Sequence, residues 1–195
     1  MWLFLVRIAP FLVLAGLISG LGHYIGKWIP EAGWIYLLGA TWGFLVGMYI
    51  LEQEPIWNTL LFLGFALSSG ALLRGIDYVG VLSRVWLTLI GGISASFVWG
   101  LFSGPTPTRA AGYLFPLTIL YLLGWILLSI LPLPSGTLAF WAGLGLMLFL
   151  LIAVSIFNKG KRKGGEGSPV PLASDLFVVG FNFFWLAAVF WGALS

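Results

Sequence analysis

Apolar residues dominate this chain in long stretches, broken by short clusters of glycine, proline and charge. An α-helix needs about 20 apolar residues, at a rise of 1.5 Å each, to cross the hydrocarbon core of a bilayer. Parsed by that length, the pattern predicts seven spans, at about 2–26, 32–51, 55–74, 79–103, 110–131, 136–158 and 170–193. The separators are "GKWIPEAG", "EQEP", "RGIDY", "SGPTPTR", "LPLPSG" and "NKGKRKGGEGSPVP", and only the last has the length of a flexible loop. The expected fold is an all-α membrane protein: a seven-transmembrane-helix bundle forming one polytopic domain over residues 1–195. Two starts are the best defined. Pro55 opens the third span and Ser168-Pro169 the seventh, where the missing proline N–H costs nothing.

Composition agrees with this division. Hydrophobic residues make up 61% and charged residues 8%, with mean hydropathy +1.07, whereas a soluble domain carries about 25% charged residues. That leaves no stretch for a soluble domain. The first apolar run is interrupted only by Arg7 and reaches Gly26, too long for the core of a cleavable signal peptide, so it reads as a retained helix. The absence of cysteine excludes disulfides, thiolate metal sites and cysteine nucleophiles.

Charge placement sets the expected orientation. Lys159, Lys161, Arg162 and Lys163 crowd one loop, and positive residues are retained on the cytoplasmic side. With that loop inside, Arg7 and Arg109 are inside too, and Lys27, Arg74 and Arg84 are outside. The N-terminus is then cytoplasmic and the C-terminus is not, in what is expected to be a bacterial inner (plasma) membrane. The Gly160 to Gly167 stretch, rich in glycine and like charges, reads as the most mobile segment. Beyond orientation, the basic loop serves to brush anionic lipid.

Many of the tryptophans (Trp2, Trp28, Trp34, Trp57, Trp99, Trp191) fall near span ends, where amphipathic rings anchor at headgroup level. Gly39, Gly43 and Gly47 recur every fourth position in the second span, as do Gly16 and Gly20 in the first. Such stripes permit close backbone approach, to another helix of the chain or to another membrane subunit.

Polar groups at membrane depth are costly and are therefore the places to look for chemistry. His23 is the only histidine, which excludes multi-histidine metal sites and bis-histidine haem within one chain. Ser68 and Ser69 lack an accompanying base motif and read as hydroxyls bonded to their own helix. Glu52 and Glu54 lie two apart in a turn and do not share a helix face. With no strand and no glycine-rich phosphate cradle, a soluble-type nucleotide site is excluded. The expectation is a protein that is not an enzyme, needs no cofactor, binds no nucleic acid and has the lipid bilayer as its first partner.

Asp175 stands apart. It lies six or seven residues into the seventh span, roughly 10 Å along the axis, where a carboxylate must face protein, water or a partner. Asn182 is seven residues on and shares its face, and Asn158 ends the sixth span. These three residues are the candidate ion-pathway or pH-sensing cluster at the cytoplasmic mouth. The plainer account has Asp175 capping local backbone or pairing with the basic loop.

The ending "LLIAVSIFNKGK" of the sixth span, the opening "PLASDLFVVGFNFFWL" of the seventh and the "PIWNTLLFLGFALSSGALL" of the third together resemble the transmembrane Bax inhibitor motif family. The resemblance implies a seven-helix bundle in which two aspartates share a proton at the cytoplasmic mouth and govern a pH-sensitive calcium leak. Asn158 stands in the place of the first aspartate. With Asn182 as the matching asparagine, Val179 stands in the place of the second, and Asp175 lies one turn earlier. One carboxylate of the pair therefore remains, whereas strong proton sharing needs two. The rival expectation is a non-catalytic structural subunit of a larger respiratory or photosynthetic membrane complex, to which glycine stripes, many tryptophans and sparse intramembrane charge are equally suited.

Overall fold

The computed structural model describes residues 2–73, 79–102, 108–130, 134–163 and 169–194. Every regular element among them is helical: α1 (Trp2–Gly26), α2 (Trp34–Ile50), α3 (Pro55–Leu72), α4 (Val79–Phe102), α5 (Thr108–Ile130), α6 (Ser135–Lys163) and α7 (Val170–Leu194), with a 3-10 turn at Glu31–Gly33. The all-α architecture follows directly from the apolar lengths. Among the described residues, five stretches are long and apolar enough to cross a membrane: Val6–Gly26, Glu31–Ile50, Pro55–Leu72, Ser135–Gly160 and Val170–Leu194. This is the build of an integral membrane protein, because only such a protein can leave so much apolar helix surface uncovered by its own chain.

Local chemistry explains the boundaries. Pro55 occupies the first helical position of α3 behind an extended Glu54, whose carbonyl accepts the Asn58 N–H at 2.8 Å. At the start of α7 the Pro169 carbonyl accepts the Ala173 N–H at 3.0 Å. Helix α6 differs from expectation: it continues past Asn158 to Lys163, because lysine and arginine are good helix formers and the helix persists after its apolarity ends. The expected mobile stretch therefore begins inside a helix, and its remainder, residues 164–167, lies outside the described residues. The "RGIDY" hairpin lies outside them as well.

By its contacts the chain divides into two compact units. The first comprises Met1–Asp77 and Lys163–Val178, and so holds α1, α2, α3 and the opening of α7. Here α1 and α3 run parallel in backbone contact: Gly22 lies against Leu67 and Gly26 against Ala71. A Cβ on Gly70 would fall on the Ser19 carbonyl, so this pair is as close as helices come. Helix α2 runs antiparallel to α3, with Gly47 by Leu61 and Phe44 by Gly64. Phe177 of α7 meets Phe62 and Phe65 edge-on, with ring centroids 5.6 and 6.2 Å away. Phe62, Phe65 and Ala66 form the centre of this unit's core.

The second unit comprises Tyr78–Arg162 and Val179–Ser195. Helix α4 is antiparallel to α7, with Gly92 against Phe183, and parallel to α6, with Ser96 by Leu150 and Gly100 against Phe157. Helix α6 is antiparallel to α7, pairing Gly143 with Phe190 and Gly145 with Leu186. It is antiparallel to α5 too, where the Tyr121 and Trp141 rings stack at 5.5 Å. Within each unit, the packed helices of odd and even number run in opposite directions. This is the order of a chain that crosses a slab repeatedly.

Candidate functional site

Several polar side chains of the first unit gather where α2 ends, α3 begins and α7 begins. Asp175 lies in the second turn of α7 and is half-buried. Tyr49, in the last turn of α2, donates its hydroxyl to Asp175 Oδ1 at 3.5 Å. That is a long contact, at the outer limit for a hydrogen bond. Ser174, beside it, turns inward and donates to the Val170 carbonyl at 2.9 Å, so it is committed to its own helix.

Asn58 fixes this end. Its side chain is 2% exposed, and Nδ2 donates to the Met48 carbonyl at 2.7 Å. Met48 belongs to the last turn of α2, where carbonyls lack an intrahelical donor, so the amide satisfies one of them. The other half of the amide, Oδ1, is buried without a hydrogen-bond partner. Rotating the amide cannot relieve it, because oxygen would then face the Met48 oxygen. Glu52 and Glu54 occupy the turn between α2 and α3 and are exposed, as their spacing predicts. Three carboxylates thus belong to this end of the unit. Such an arrangement attracts cations.

The other two residues of the expected cluster lie in the second unit. Asn158 is buried in α6, and Asn182 is half-buried in α7. The register set by Gly145 with Leu186 and Gly143 with Phe190 places Asn182 opposite the stretch around Phe149. It is therefore roughly 13 Å along the axis from the level of Asn158, and the two asparagines do not meet at one mouth. Sequence alone set Asn182 on the helix face of Asp175, and a shared face leaves depth along the axis undetermined.

The remaining candidates have simple places. Ser68 and Ser69 donate to the Phe65 and Ala66 carbonyls, each at 3.1 Å, which is the backbonding expected of them. His23 is half-buried near the end of α1, and no group of three histidine, cysteine or acidic side chains among the described residues could hold a metal ion. Of the glycine stripe in α2, Gly47 meets Leu61, while a Cβ on Gly39 or Gly43 would have nothing within 4 Å. Gly16 and Gly20 are equally open. The glycines set directly against another helix's backbone are Gly22, Gly26 and Gly70, and four-residue spacing, which Gly22 and Gly26 share with the open glycines, does not tell them apart.

Tyr49 and Asn58 were also missed from sequence. The available signal was an asparagine three residues after the helix-opening Pro55, a polar amide in an otherwise apolar turn. Compared with known proteins, the chain matches no family model, and no curated protein matches it.

Proposed function

We propose that this integral membrane protein crosses a bacterial inner (plasma) membrane seven times with its N-terminus cytoplasmic, and that it is a passive cation leak with Asp175 at the inner mouth. The observation that carries this reading is the Tyr49–Asp175 contact, at the end of the first unit that also holds Glu52 and Glu54. The half-buried Asp175 carboxylate accepts from Tyr49, and exposed acidic neighbours raise the local cation concentration. The basic run of Lys159, Lys161, Arg162 and Lys163 supports the orientation, and the alternating helix directions support repeated crossing. The resemblance to the Bax inhibitor motif family favours Ca2+ as the ion and pH as the control. Liposomes containing the purified chain should release a trapped cation faster than protein-free liposomes. Equal rates sink the leak.

A second reading has one observation in its favour. Gly16, Gly20, Gly39 and Gly43 present open small-residue surfaces on α1 and α2. Such surfaces suit a structural subunit of a larger respiratory or photosynthetic membrane complex, whose other helices would cover them. A chain that is stable alone in mild detergent counts against it.

A further inference from the structure

Arg84 lies in the second turn of α4, at the same end of the second unit as Trp191 in the last turn of α7. Its guanidinium carbon sits 5.3 Å from the centre of the Trp191 ring, within cation–π range. The indole is itself fixed: Nε1–H donates to Thr88 Oγ1 at 2.9 Å, and the Thr88 hydroxyl donates to the Arg84 carbonyl at 2.8 Å. Ring, hydroxyl and arginine backbone thus close a loop that holds the cation on a platform. The guanidinium carries a planar fork of N–H donors suited to a bidentate acceptor.

The charge has no acidic counterpart within its unit. Residues 78–162 and 179–195 contain no aspartate or glutamate, and Asp77, the nearest in sequence, lies outside the described residues. Arg84 is exposed, roughly 8 Å along α4 from its start, the depth of phosphates and aromatic belts. Directly along the same face of α4 come Leu87, Gly91, Ser94 and Ala95, all exposed, and a Cβ on Gly91 would have nothing within 4 Å. Beyond Leu87 the small residues keep this face of α4 low and open next to the cation, as a shallow furrow.

We infer that Arg84, on its Trp191 platform, is a headgroup site for an anionic phospholipid, whose phosphodiester accepts from the guanidinium while one acyl chain lies along the Gly91 furrow. Charge complementarity selects the phosphate, and the apolar furrow continuous with the cation selects a lipid over a free ion.

The test is native mass spectrometry of the full chain released from nanodiscs of phosphatidylcholine with a minor fraction of phosphatidylglycerol. The parent should retain phosphatidylglycerol in preference to phosphatidylcholine, and Arg84→Gln should lower that preference about fivefold. Thr88→Val, which frees the indole but keeps the charge, should lower it less; this variant decides the matter if Arg84→Gln fails to fold. A parent without preference overturns the site. So does an unchanged preference in whichever variant folds, and so does displacement of the lipid by excess glycerol 3-phosphate, which would make it a site for a free phosphate.

Discussion

Asn58 donates through Nδ2 to the Met48 carbonyl oxygen at 2.7 Å, tying the first turn of α3 to the last turn of α2. The next residue of α2, Tyr49, is the one that reaches Asp175. The amide therefore holds in place the helix end that presents the phenol, and removing it should be felt in both stability and geometry.

Asn58→Leu should destabilise the protein by about 1–3 kcal/mol, the cost of leaving the Met48 carbonyl buried without a donor, partly offset by removal of the unpaired Oδ1. Asn58→Asp should cost more, since it sets a carboxylate oxygen against that carbonyl in a site that is 2% exposed. A detergent melt series ordering parent, Leu and Asp from most to least stable checks this; an Asp variant as stable as the parent refutes it.

Glycine substitutions should separate the packed stripe from the open ones. Gly70→Leu and Gly26→Leu place side chains on the Ser19 and Ala71 backbones and should cost about 1–3 kcal/mol or more. Gly43→Leu, with nothing within 4 Å, should leave the melting midpoint of the isolated chain unchanged. A loss at Gly43 equal to that at Gly70 would contradict an open face at this position of α2.

Because the chain has no cysteine, single cysteines report topology without background. Cysteines at Glu52 and Lys159 should react with a membrane-impermeant maleimide only after vesicles with the cell's orientation are permeabilised, and those at Ala32 and Leu194 before. Labelling of Glu52 and Ala32 from the same side would break the alternation of α1, α2 and α3.

Much of the fold was legible because apolar length is itself the constraint: a span must match the bilayer, so α1 ends at Gly26 and α3 begins at Pro55 where punctuation says they should. The end of α6 was not, since hydropathy marks where a helix leaves lipid and not where it stops, and α6 goes on to Lys163. For the site, Asp175 was visible as an isolated carboxylate in an apolar run. Tyr49 and Asn58 were not, because a tyrosine near a span end reads as a belt residue and an asparagine as a local bond. Spacing cannot tell which helix faces which, so Gly39 and Gly43 looked like the packed pair while Gly22 and Gly26 carried the contact.

The leak is tested most directly by cation flux into liposomes containing the parent, Asp175→Asn or Tyr49→Phe, measured from acid to neutral pH. The parent's flux should exceed that of protein-free liposomes across this range. Asp175→Asn should lower it about tenfold or more, because the charge that concentrates cations is gone. Tyr49→Phe, which removes a hydroxyl 3.5 Å from the carboxylate and leaves its charge, should change it less. Parental flux from the Asn variant at every pH would contradict a role for Asp175 in cation passage.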